Sequence, residues 1–125
     1  MARQKQEKPF YAFQILGSRD EQEDSYGICY GLQTLDSSGP SCFILADGMG
    51  GHLGGSIASQ TAVDAVKLVV ESGGIKQNRL LRDALSSANE NIAECLRVNE
   101  DLEGMGTPLV VLMLEDNKAF WVSVG

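Results

Sequence analysis

Several carboxylates and one guanidinium lie in two short polar stretches of this chain. The first, Gly17-Ser-Arg-Asp-Glu-Gln-Glu-Asp24, holds Arg19, Glu23 and Asp24. The second, Ala46-Asp-Gly-Met-Gly-Gly-His-Leu-Gly-Gly55, holds Asp47 and the single histidine, His52. Crowded carboxylates raise one another's pKa unless a cation compensates. Carboxylate, carbonyl and water oxygens are the donors that Mg²⁺ and Mn²⁺ prefer. If both stretches emerge at one end of a sheet, Glu23, Asp24 and Asp47 come together as a site for a divalent metal. Each stretch alone also has a plainer reading. An arginine with two acids makes a solvated surface turn, a glycine-rich run makes a tight turn, and a lone histidine is an ordinary polar loop residue.

Other chemistries are poorly served. The dinucleotide-binding pattern counted from Gly48 needs glycine or alanine at Leu53, and a P-loop needs lysine after Gly55, where Ser56 stands. Cys29, Cys42 and Cys95 form no CxxC pair and have no neighbouring histidine, which excludes the usual zinc sites. An odd number of cysteines without an export signal fits reduced, mostly buried thiols. A net charge of −7 opposes a nucleic-acid partner. The longest strongly apolar run, Leu109 to Leu114, falls far short of the roughly 20 residues of a membrane helix. No membrane partner and a cytoplasmic location are therefore expected.

The elements that must position these residues are legible from spacing. At 125 residues, 43% of them hydrophobic, the chain has room for one domain. Residues 1–9 are polar and expected to be a flexible N-terminus. Phe10–Leu16 reads as a strand ended by Gly17; Ser25 to about Leu32 and Ser41–Ala46 read as an antiparallel hairpin about the turn Asp36–Pro40. Helical spacing of apolar residues runs over about Ser56–Glu71, stopped by Gly73-Gly74, and again over about Asn78–Val98. Gly104-Met-Gly106 breaks that pattern. Thr107–Leu114 and Lys118–Val124 read as two strands joined at Glu115-Asp-Asn117. The β-β-β-α-α-β-β order predicts an α+β layer architecture with two helices covering one sheet face. It leaves the other face and the Lys118–Val124 edge open, so self-association through that edge is expected.

Taken jointly, three segments resemble the opening motifs of the PPM family, the type 2C metal-dependent serine/threonine phosphatases, in their bacterial branch. They are Arg19-x-x-x-Glu23-Asp24, Leu45-Ala-Asp-Gly-Met-Gly-Gly-His52 and Gly104-Met-Gly-Thr-Pro-Leu109. The resemblance runs from about Phe10 to Gly125 and implies the N-terminal half of such a domain, part of an α-β-β-α sandwich with antiparallel sheets. It implies hydrolysis of phosphoserine and phosphothreonine in proteins by a metal-activated water, in bacterial signalling. Asp47 matches an aspartate that bridges two Mn²⁺ or Mg²⁺ ions, Gly48 a glycine whose carbonyl is a ligand, Glu23 an acid that reaches one metal, and Asp24 a neighbour that fixes metal-bound water. Arg19 matches the arginine that grips the substrate phosphate with its fork of donors. The Gly104-Met-Gly106 turn matches a core element without a direct catalytic role.

The chain departs from that family in four places. Gln22 stands where asparagine is usual, Pro108 where a second threonine is usual, and Met49 where the eukaryotic branch has its proposed general-acid histidine. His52, three residues on, is then the candidate for that catalytic task. The chain stops at Val122-Ser-Val-Gly125, where the family continues Gly-Asp-Ser-Arg and adds metal-binding aspartates. Octahedral ions take about six oxygens each, so the two-metal site is expected to be incomplete in this chain. The alternative expectation is a catalytically incomplete fragment that acts as a binding or regulatory module.

Overall fold

The computed structural model describes residues 10–29, 42–51, 53–72, 77–115 and 117–125. Strand β1 (Asp24–Cys29) and strand β2 (Cys42–Asp47) pair antiparallel, in a register running from Asp24 opposite Asp47 to Cys29 opposite Cys42. Their side chains alternate as a half-buried strand requires. Ser25, Gly27, Cys29, Cys42, Ile44 and Ala46 are buried, and their neighbours point the other way. Helices α1 (Gly54–Ser72) and α2 (Gln77–Val98) follow, then a short 3₁₀ turn at Glu100–Leu102. That turn is capped by the Asn99 side chain, which accepts from the Asp101 N–H at 3.0 Å. Strand β3 (Leu109–Glu115) returns beside β2, and β4 (Lys118–Val124) folds back on β3. The sheet order is β1-β2-β3-β4, with every neighbouring pair antiparallel.

The core lies between one sheet face and the helices. Helix α1 buries Ala58, Ala62, Val63, Ala65, Val66 and Val70, a wide stripe of small and branched residues that fits between the sheet and α2. Helix α2 adds Leu80, Leu81, Ala84 and Ala88, and the sheet adds Ile44, Leu109, Val111 and Met113. Each fully buried valine, such as Val63, Val66 and Val111, contributes about 1.5–3 kcal/mol relative to exposure. Among the described residues no helix is long and apolar enough to cross a membrane.

The α+β class, the hairpin, both helices and the last two strands match the expectation to within a few residues. One element differs. Phe10–Leu16 joins no ladder, and Tyr11, Phe13 and Ile15 stand exposed. The segment is tethered by side chains instead. The Gln14 amide donates to the Asp24 carbonyl at 2.8 Å, the Gln22 amide donates to the Ile15 carbonyl at 3.3 Å, and the Phe10 ring meets Phe43 edge-on at 5.8 Å. Strand-like composition needs a backbone partner to become a strand, and the described residues provide none there. The expected turn at Asp36–Pro40, the Gly73-Gly74 stop, His52 and the N-terminal 1–9 segment expected to be flexible lie outside the described residues.

The opposite sheet face is apolar and open: Tyr26, Leu45, Val110, Leu114 and Trp121 are all exposed, Trp121 at 70%. Among the described residues strand β4 has a neighbour on one side only.

Candidate active site

The open end of the β1–β2 hairpin brings two of the predicted acids together. Asp24 and Asp47 are register partners, and strand alternation points both to the open sheet face. Like charges directly opposite in a sheet are destabilising. Asp24 accordingly has its pKa raised above the ordinary 3.8, first by partial desolvation, then by the Asp47 charge and the hydrogen bond the two carboxyls share. Arg19 opposes this in part, its positive charge pulling the Asp24 pKa down. Arg19 is exposed, with its backbone N–H donating to the Leu16 carbonyl at 3.3 Å. It takes part in neither ion pair found among the described residues, Arg79–Asp83 and Arg97–Glu94 on α2.

Glu23 is placed differently. One residue before Asp24, it turns to the helix side of the sheet, and its carboxylate lies against Gly55 in the first turn of α1. A Cβ on Gly55 would come within 2.9 Å of the Glu23 Cδ and 3.1 Å of its Cγ. The positive end of a helix suits an anion there. The Glu23 carbonyl accepts from the Gly48 N–H at 3.1 Å and from the Ser59 hydroxyl at 2.5 Å. Ser59 is fully buried and also shares a 2.9 Å hydrogen bond with the Ser25 hydroxyl. Gly48 is the corner where the start of β1, the end of β2 and the start of α1 meet. A Cβ there would overlap the Gly55 carbonyl oxygen and sit 2.5 Å from that of Glu23.

The same loop is clamped from behind. Met49 and Gly106 exchange backbone hydrogen bonds of 2.8 and 2.9 Å, and the Asp47 N–H donates to the Pro108 carbonyl at 3.1 Å. Met105 is buried beneath Gly50 and Gly54. The Gly104-Met-Gly106 segment is therefore the support of the acidic loop, more than a strand lead-in. Its glycines were visible in the sequence; its partner was not, because the contact spans both helices. Ser59 carried no signal at all, since a serine inside a helical stripe usually faces water or its own backbone.

Glu23, Asp24 and Asp47 thus share one corner, but their carboxylates do not converge. The Glu23 carboxylate lies against Gly55 while the aspartates pair across β1 and β2, although the Glu23 charge still helps raise the Asp24 pKa; no three His, Cys, Asp or Glu side chains group as metal ligands among the described residues. The aspartate pair by itself fits a divalent cation: two hard oxygen donors, with like charge left uncompensated except by Arg19. A cleft of about 610 Å³ opens beside Asp24, lined by Gln22, Tyr26, Ser56, Gln60 and Asp64 among others. Its walls are chiefly polar and leave Asp24 open to an incoming group.

No family model matches the chain. The serine/threonine protein phosphatase PstP of Mycobacterium tuberculosis is 37% identical over 90 residues, which cover 70% of this chain and 17% of that protein. The protein phosphatase PhpP of Streptococcus pneumoniae is 36% identical over 95 residues, covering 73% of this chain and 38% of that one. Among solved structures, the serine/threonine phosphatase Stp1 of Staphylococcus aureus aligns with a TM-score of 0.72 at 29% identity, over 86% of this chain and 42% of that chain. The catalytic domain of PstP in complex with two manganese ions aligns with a TM-score of 0.64 at 30% identity, over 82% of this chain and 47% of that one. The chain spans less than half the length of these relatives. In sequence and in fold the chain matches bacterial members of the PPM family, the type 2C serine/threonine phosphatases, over part of their length.

Proposed function

We propose that this chain serves metal-dependent hydrolysis of phosphoserine and phosphothreonine in proteins, with Mn²⁺ or Mg²⁺ as the cofactor. The observation that carries the reading is the Asp24–Asp47 pair, two like charges set opposite each other, with Asp24 on the wall of a polar cleft. Folding tolerates such a pair where a cation is to be held. The manganese bound in the related PstP domain supports the choice of ion.

Asp47 and the Gly48 carbonyl are the proposed central donors, with Asp24 beside them and Glu23 joined through the shared backbone corner. A divalent cation, when bound, supplies the charge that makes water a nucleophile near neutral pH. Arg19 orients the phosphoryl group through its planar donors and offsets charge building on the phosphoryl oxygens. The backbone clamp from Gly106 and Pro108 keeps Asp47 from recoiling from Asp24. Proton donation to the departing serine or threonine oxygen is assigned to His52. A phosphorylated protein segment would enter along the cleft beside Asp24.

Hydrolysis of a phosphothreonine peptide with Mn²⁺, against chelator and Asp47→Asn controls, tests this reading. Turnover lost in both controls is the expected result. A folded chain that neither binds Mn²⁺ by calorimetry nor turns over would sink it for the isolated chain. A second reading, a catalytically incomplete binding module, is favoured by the separation of the Glu23 carboxylate from the aspartates and by the open apolar face.

A further inference from the structure

Cys29 and Cys42 form the last register pair of the β1–β2 hairpin, at the end opposite the acids. Both side chains are on the core face, both are 0% exposed, and both are free thiols. Directly opposed residues of an antiparallel pair have Cα atoms about 4.5–5.5 Å apart, inside the ~4.4–6.8 Å span of a disulfide. The two thiols also hydrogen-bond to each other. That bond is the main cause lowering the Cys29 pKa, and with burial it raises that of Cys42. Thiol oxidation starts from a thiolate with a second thiol close by; the lowered pKa of Cys29 favours its thiolate, and Cys42 stands directly opposite it.

We propose that Cys29 and Cys42 form a reversible cross-strand disulfide that staples the hairpin carrying Asp24 and Asp47. With hydrogen peroxide as oxidant, the Cys29 thiol gives up its proton, its sulfur attacks one peroxide oxygen to become a sulfenic acid, and the departing hydroxide takes that proton and leaves as water. The Cys42 thiol then attacks the sulfenic sulfur and expels a second water, so two thiols and hydrogen peroxide give one disulfide and two waters. A dithiol reductant reverses the step by two exchanges, its own pair of thiols being oxidised. Closure draws the strands together, because opposed Cβ atoms lie about 4.5–5.5 Å apart against the ~3.8 Å usual across a disulfide. Burial makes access depend on transient opening of this end of the hairpin, so the pair reacts more slowly than partly exposed Cys95.

The test uses the full chain carrying Cys95→Ala, folded and exposed to hydrogen peroxide, then denatured and labelled with a maleimide. The expected result is complete loss of labelling, a mass lower by two hydrogens, and recovery of both thiols with dithiothreitol. Chymotrypsin, which cuts after Tyr30 and Leu32, should release a linked peptide pair containing Cys29 and Cys42. Cys29→Ala should abolish the mass change. Should that variant not fold, the peptide map decides alone. Two freely labelled thiols, a sulfinic acid on either cysteine, or linkage only between chains would overturn the proposal.

Discussion

Replacing Gly48 by alanine should be the most damaging single-methyl change in this protein. Its Cβ would meet two backbone oxygens, those of Gly55 and Glu23, and neither can move as a flexible side chain would. Relief requires either the β2 loop or the first turn of α1 to shift, which breaks the 3.1 Å bond from the Gly48 N–H to the Glu23 carbonyl. Overpacking of this kind costs about 1–3 kcal/mol, and the lost hydrogen bond about 1 kcal/mol more. The expected loss is therefore about 2–4 kcal/mol. With a urea slope of about 1.5 kcal/mol per molar, the unfolding midpoint should fall by about 1.3–2.7 M. Gly51→Ala is the internal control, since nothing lies within 4 Å of a Cβ there; it should stay within about 0.5 kcal/mol. Urea melts of both variants, followed by circular dichroism, make the comparison. If Gly48→Ala unfolds at the same midpoint as Gly51→Ala, the convergence of three elements on this corner is wrong.

Three further outcomes follow from the same geometry. The raised pKa of Asp24 means that protonation favours the fold: this contribution is fully present below the unfolded value of 3.8 and is lost as pH rises through the folded one. Asp24→Asn should remove that slope and stabilise the metal-free chain at pH 7 by a few tenths of a kcal/mol, read from urea midpoints at pH 3 and pH 7; an unchanged pH profile would contradict it. Ser59→Ala removes a buried donor to the Glu23 carbonyl and the partner of Ser25, and should cost about 1–2 kcal/mol; a loss below about 0.5 kcal/mol would show that water replaces the hydroxyl. Trp121→Lys, on the open face of the edge strand, should weaken any self-association seen by sedimentation at high protein concentration while changing stability by no more than about 0.5 kcal/mol; undiminished association would place the contact elsewhere.

Local pattern in the sequence determined most of this protein's elements. The alternation in Asp24–Cys29 and Cys42–Asp47, and the helical spacing from Ala58 to Val70, follow from which side chains must leave water, and that information is carried within each segment. Residue type likewise pointed to Glu23, Asp24 and Asp47 as oxygen donors, because carboxylates that come together need a cation to compensate their charge. Tertiary structure decided the rest. Strand parity, combined with register, set Asp24 beside Asp47 and turned Glu23 toward Gly55, a separation that no spacing of neighbours in a loop expresses. The clamp from Gly106 to Met49 and the bond from Ser59 to Glu23 join residues on opposite sides of a helix or of the whole helical hairpin. Such contacts exist only once α1 has docked on the sheet. Phe10–Leu16 teaches the converse: its composition is that of a strand, but a strand is a property of two backbones, and composition describes only one.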